Sequence, residues 1–128
     1  MQVLGIDFGA KKTGLALGDS ETKIAFPLFV IAGGEAGLVE IKRVVEEEGI
    51  QQIIVGLPTT TEANQISNYR TTTLNFIEKL KSELSLPLET IDEQFTSKES
   101  RRLQVEEGAT AAEDALAAML ILEDYFNS

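Results

Sequence analysis

The sequence predicts an α/β fold: a mixed sheet of five strands flanked by helices. Three observations carry this. Three apolar runs of strand character follow one another before any helical pattern begins. After them, helical periodicity and short apolar runs alternate twice. Short turn signals rich in Gly, Pro and polar residues separate the pieces. Three strands in succession give an antiparallel meander. The later strands, each reached through a helix, extend it in parallel by right-handed crossovers.

The first strand is Val3 to Phe8, apolar apart from Asp7, and Gly9 follows it directly. Lys11 and Lys12 form a basic tip, and Thr13 to Gly18 returns as a second strand. A polar turn leads to a third strand, Lys23 to Ile31, where Pro27 favours the sheet edge. Gly33 and Gly34 break the chain. Glu35 to Glu48 then reads as a helix, with apolar residues at 38, 41, 44 and 45 and Gly49 as its stop. Ile50 to Leu57 is a buried strand ended by Pro58, and Thr59-Thr60-Thr61 is a loop. A long helix from Ala63 to Leu84 carries the stripe Ile66, Tyr69, Thr73, Ile77, Leu80 and Leu84. Pro87 opens the fifth strand, Leu88 to Ile91, which runs into Asp92 and Glu93. Thr96-Ser97-Lys98-Glu99 has the capping-box pattern and starts a short helix to Glu107, closed by Gly108. Thr110 to Glu113 is a second capping box and opens a final helix to about Tyr125, with Ala118, Ile121, Leu122 and Tyr125 inward.

A chain of 128 residues suggests one domain, residues 1–128, able to bury an ordinary core without staples. There is no repeat or linker. There is no Cys, which excludes disulfides and thiolate metal sites. There is no His, which excludes His-dependent triads and His-ligated zinc. Any chemistry must run on carboxylates, Lys, Tyr, hydroxyls or backbone. No apolar run is long enough to span a membrane and no signal peptide is visible, so the expectation is a cytoplasmic protein with no membrane partner. The net charge of -10 argues against a broad basic face for nucleic acid, but is compatible with a carboxylate metal site beside a local basic patch.

Asp7 is the anomaly of the first strand. A carboxylate in a strand apolar on both faces is costly unless it has a partner. A metal ion or a phosphate-bound cation is one answer; a turn-initiating Asp bonded to its own backbone is the other. Glu93 lies at the end of the last strand. Asp114 lies in the first turn of the last helix, four residues before Ala118, so it continues the inward stripe. An acid complementing the helix dipole explains its place in the first turn but not its inward side. In an α/β sheet, functional groups gather at the carboxyl ends of the parallel strands. Convergence of Asp7, Glu93 and Asp114 there would require a cation. Hard divalent ions, Mg²⁺ or Mn²⁺, suit oxygen ligands. Two of them would serve phosphodiester hydrolysis.

The stretches Gly5-Ile6-Asp7-Phe8-Gly9-Ala10-Lys11-Lys12-Thr13-Gly14-Leu15-Ala16, Ile54-Val55-Gly56-Leu57-Pro58, Asp92-Glu93-Gln94-Phe95-Thr96-Ser97 and Glu113 to Leu122, in this order, resemble the YqgF family, also called RuvX-like. Its members are described as Holliday junction resolvases and as nucleases of pre-16S ribosomal RNA. The resemblance spans essentially the whole chain. It implies a ribonuclease H-like fold, a cytoplasmic location and a metal-dependent nuclease acting in 5′-end processing of pre-16S ribosomal RNA. A resolvase-like DNA nuclease is the alternative. By position it maps catalytic and metal-binding acids onto Asp7, Glu93 and Asp114, and a basic residue for substrate onto Lys11 or Lys12. Thr96 and Arg101 complete the substrate-binding candidates. Arg70, Lys98 and Arg102 are further basic residues, with a solvated helix face as the plain alternative for Lys98, Arg101 and Arg102.

Two departures from the family pattern remove positive charge while leaving the acids intact. Gln94 stands where the pattern has Arg, and Thr59 to Ala63 replaces a loop with Asn, Gly and a basic residue. The expected partner is nucleic acid, structured RNA before branched DNA. Symmetric cleavage of a junction would call for a homodimer. Two rivals share the core. A sugar-kinase-like ATPase needs two such domains around its nucleotide, and a non-catalytic binding module would keep the fold without cleavage.

Overall fold

The computed structural model describes residues 1–9, 11–57, 64–92 and 113–128, with only the backbone of 64–69. The strands are β1 (Gln2–Asp7), β2 (Lys12–Asp19), β3 (Ile24–Ala32), β4 (Gln52–Leu57) and β5 (Leu88–Asp92). Among the described residues there are three α-helices, α1 (Leu38–Glu48), α2 (Asn64–Glu83) and α3 (Glu113–Phe126). The sheet order is β3-β2-β1-β4-β5. β1, β2 and β3 pair antiparallel, and β4 and β5 continue in parallel with β1. This is the predicted mixed sheet.

Alternation along the strands divides the core in two. Leu4 and Ile6 of β1 and Phe8 directly after it join Leu15 and Leu17 of β2 in a cluster under α1 and α2, with Leu38, Ile41, Val44, Phe76, Ile77 and Leu80. Val3, Ala16 and Ile54 point the other way, against Ala118, Ile121, Leu122 and Phe126 of α3. β1 is therefore buried on both faces, which is why Val3 to Ile6 is an unbroken apolar run.

β3 is an edge strand, as Pro27 implies. Leu15 pairs with Phe29 and Ala16 with Pro27, so Leu28 is the extra residue of a bulge. Proline is accommodated at such a bulge, where a ladder hydrogen bond is already lost.

The first helix begins later than the sequence predicts. Gly34–Gly37 forms a 3-10 turn and α1 starts at Leu38. The Gly-rich stretch has no apolar repeat to hold a full helical turn, and Gly37 packs against the Ala32 carbonyl, where a Cβ would lie 2.4 Å away. Gly49 ends α1 in the left-handed region, φ 64°, as a helix stop should. In α2 the stripe Thr73, Ile77 and Leu80 is buried as predicted, and Phe76 adds to it by stacking on Phe8 at 4.2 Å between ring centres. In α3 Phe126 joins the buried cluster of Ala118, Ile121 and Leu122, and Tyr125 packs against it half-buried, on the inward side as predicted. The Tyr125 hydroxyl needs polar partners, and it finds Glu89 and Gln52, each at 3.0 Å. The loop Thr59 to Thr61, the short helix expected over 96–107 and the Thr110 end of the second capping box lie outside the described residues.

Candidate active site

β1, β4 and β5 are parallel, so their carboxyl ends share one edge of the sheet. Asp7 is the last residue of β1 and pairs with Gly14 of β2. It is only 8% exposed. Alternation places it on the face of Val3 and Gly5, the face covered by α3.

The turn after Asp7 is held from two sides. The Gly9 N–H donates to Thr13 Oγ1 and that hydroxyl donates to the Gly9 carbonyl, both at 3.4 Å. Thr13 is itself 1% exposed, so its hydroxyl is satisfied inside the turn. From outside, Gly33 N–H donates to the Lys11 carbonyl at 3.1 Å and Gly34 N–H to the Gly9 carbonyl at 3.0 Å. Lys11 and Lys12 are thus exposed side chains on a fixed backbone.

The start of α3 is seated on Gly14. A Cβ at that position would lie 1.9 Å from the Asp114 carbonyl oxygen. Only glycine admits this approach, so the backbone of Asp114 rests on the strand partner of Asp7. Burial holds the Asp114 carboxyl above the usual carboxylate range, the charge of Glu113 adds to this, and Lys12 pulls it back down. Lys12 therefore acts on the same acid from the β2 side.

A hard divalent cation fits this donor set. Asp7 is a buried carboxylate, and Asp114 sits where burial and a like charge disfavour its ionised form. With no His or Cys in the chain, the donors are oxygens, which Mg²⁺ and Mn²⁺ prefer.

Of the predicted acids, Asp7 and Asp114 are described; Glu93 lies outside the described residues, as do Thr96 and Arg101. Among the described residues no three acidic side chains gather closely enough to hold a metal. Asp92, directly before Glu93, ends β5 opposite Leu57, at the same edge as Asp7 and about 10 Å across two strand spacings. Its Oδ1 lies 3.9 Å from Nη1 of Arg70 on α2. Sequence reasoning missed Thr13 and Gly14 as supports of the site. A hydroxyl and a glycine side by side in an otherwise apolar strand were the available signal.

A family model described as "RuvX: Holliday junction resolvase" matches residues 1–128. The chain belongs to the RuvX family. Among curated RuvX-family relatives, a protein of Chloroflexus aggregans is 32% identical over 98% of this chain and 93% of its own length. One of Desulforudis audaxviator is 33% identical over 100% of this chain and 95% of its own. Both bear the name "Putative pre-16S rRNA nuclease". Two solved structures share the fold. Thermus thermophilus RuvC in complex with a Holliday junction substrate has TM-score 0.64 at 17% identity, covering 98% of this chain and 94% of that one. The Fowlpox virus resolvase with junction DNA has TM-score 0.62 at 11% identity, covering 99% and 97%.

Proposed function

We propose that this RuvX-family chain is a metal-dependent nuclease of the cytoplasm that hydrolyses phosphodiester bonds in the 5′-end processing of pre-16S ribosomal RNA. The observation that carries the reading is the buried Asp7 at the carboxyl end of the central strand, with the Asp114 end of α3 seated on its strand partner. The names of the curated relatives supply the substrate.

In this reading Asp7, Glu93 and Asp114 hold Mg²⁺ or Mn²⁺, two ions in all. Bound there, the ions supply an activated water and neutralise the leaving oxygen. Lys11 and Lys12 hold the phosphate beside the acids, with Thr96 and Arg101 as further contacts. The low exposure of Asp7 keeps bulk water from competing for its oxygens. Structured RNA is preferred over branched DNA, and the working unit is residues 1–128.

The family description favours a second reading, a junction resolvase acting as a homodimer with two sites. One experiment separates them. The protein is incubated with an end-labelled RNA spanning the 16S 5′ leader, and separately with a four-way DNA junction, in Mg²⁺, Mn²⁺ or EDTA. Metal-dependent cuts in the RNA support the proposal. Paired symmetric cuts in the junction alone favour the resolvase. No cleavage of either substrate leaves a binding module.

A further inference from the structure

We propose that a cavity behind the candidate acids takes one unpaired nucleobase of the nucleic acid being cut. The cavity holds about 330 Å³ and is lined by Phe8, Gly34, Glu35, Thr72, Asn75 and Phe76. It rests on the nuclease reading above and adds a subsite for the nucleotide next to the scissile phosphate.

Its place in the fold follows from strand alternation. Asp7 faces α3, so Phe8, the next residue, faces α2 on the opposite side of the sheet. The cavity therefore lies one residue from the acids and across the same strand end. The wall at Gly34 and Glu35 is bonded to the turn that carries Lys11, through Gly34 N–H to the Gly9 carbonyl and Gly33 N–H to the Lys11 carbonyl. These hydrogen bonds tie the cavity wall to the residues that would hold a phosphate at the sheet edge.

The lining suits a base. Phe8 and Phe76, stacked on each other and almost wholly buried, close its floor with apolar ring edges. Exposed Glu35, Thr72 and Asn75 form a polar rim. The volume is near the lower end of the ~300–1,000 Å³ range of ligand pockets, which fits one ring system rather than several. Single-stranded RNA is recognised through splayed bases bonded along their Watson–Crick edges, and the polar rim offers such bonds here. The Glu35 carboxylate accepts only, so it selects bases with adjacent N–H donors. Guanine presents N1–H and an N2 amino group side by side and matches a carboxylate with two bonds. Uracil presents one N–H between two carbonyls and is repelled.

The test measures binding without cleavage. Asp7→Asn serves as the background, and fluorescence anisotropy follows labelled RNA hairpins that carry one unpaired guanine, one unpaired uracil or none. The expected result is binding of the guanine hairpin at least five-fold tighter than the other two. Glu35→Gln in that background should abolish the guanine preference while retaining affinity. Asn75→Trp should crowd the cavity from its rim and lose the gain from any unpaired base, with the thermal melt unchanged. Equal binding of all three hairpins, or preferences that survive both substitutions, overturns the subsite. So does competition by free GMP as strong as that by the hairpin, which makes the cavity a mononucleotide site. Cleavage by the unsubstituted protein is scored separately. Its absence beside an intact guanine preference sinks the nuclease reading and leaves the base site standing.

Discussion

Asp7 brings a charge to the end of a strand closed to water on both faces, where only 8% of the residue is exposed. A charge so placed is costly to take out of water, and asparagine keeps the shape of the side chain without that cost. Asp7→Asn is therefore expected to melt no lower than the unsubstituted protein, to lose its stabilisation by Mg²⁺ and to cleave slower by orders of magnitude. Thermal melts with and without Mg²⁺, beside an RNA cleavage assay, measure all three. Equal cleavage would reduce Asp7 to a turn residue. Asp114 gives a prediction of opposite character, in pH. Its carboxyl titrates above its ordinary 3.8 because of burial and Glu113. The folded state then holds the proton more tightly than the unfolded chain. That contribution to stability is complete below the unfolded pKa and is lost as pH rises through the higher folded value. Asp114→Asn should remove this fall, so that without metal the variant melts higher than the unsubstituted protein at pH 7 and shows a flatter profile from pH 3 upward. A steeper fall in the variant would mean that the acid is held by partners rather than penalised. The burial of Asp7 was legible because a carboxylate on an apolar strand is anomalous in sequence. Thr13 was not, because its role is to close a turn on Gly9, and a one-dimensional pattern does not say which carbonyl a hydroxyl will meet.

At the scale of elements, the seat of α3 decides where Asp114 stands. Gly5, Gly14 and Gly18 face this helix, and a Cβ on them would come within 2.6 Å of Leu122, 1.9 Å of the Asp114 carbonyl and 2.9 Å of the Phe126 ring. Leu122 and Phe126 are side chains that can yield, whereas the Asp114 contact is backbone. Gly14→Ala must therefore lift the start of α3. Overpacking of this kind costs about 1–3 kcal/mol, a fall in Tm of roughly 3–15 °C for a chain of this size. Cleavage should fall further than stability alone explains, since Asp114 moves with the helix. Gly49→Ala is the control. Its φ of 64° makes alanine unfavourable by about 1–2 kcal/mol, but nothing lies within 4 Å of its Cβ and it ends α1 away from the acids. A comparable Tm loss with unchanged specific activity is expected there. Activity lost equally in both variants would show that helix placement is irrelevant. The strands and their order were readable from apolar runs and Gly and Pro punctuation. The glycine seat was not, because a small residue in a strand looks the same whether a helix crosses it or solvent does.

Over the whole molecule, the question is how a chain of net charge -10 holds a polyanion. The acids of α1 are spread over its outer face, with Glu46, Glu47 and Glu48 exposed. Three basic residues away from the carboxyl edge are engaged by acids: Arg43 by Glu40 at 2.6 Å and Glu47 at 2.9 Å, Lys42 by Glu83, and Lys81 by Glu78 at 3.9 Å. These exposed pairs add little to stability, but they lower the cationic character of that surface. Lys11, Lys12 and Arg70 belong to the other end, on the β1–β2 turn and beside Asp92. Sequence analysis named these three among the candidate basic residues; the segregation itself comes from the parallel crossovers that bring β1 and β5 to one edge. Nucleic acid should therefore be held at that edge through few phosphates and weaken with salt in proportion to them. Each neutralised phosphate contributes about -0.7 to -0.9 to the slope of log K against log salt. Lys11→Ala and Lys12→Ala should each make the slope shallower by about that amount. Lys42→Ala, on α1, should leave it unchanged. Titrations of a catalytically silent Asp7→Asn protein with labelled RNA from 50 to 300 mM KCl would read these slopes. If affinity did not vary with salt, or if Lys42→Ala moved the slope as much as Lys12→Ala, nucleic acid would not be held by the cations beside the acids, and the carboxyl edge would lose its claim to the substrate.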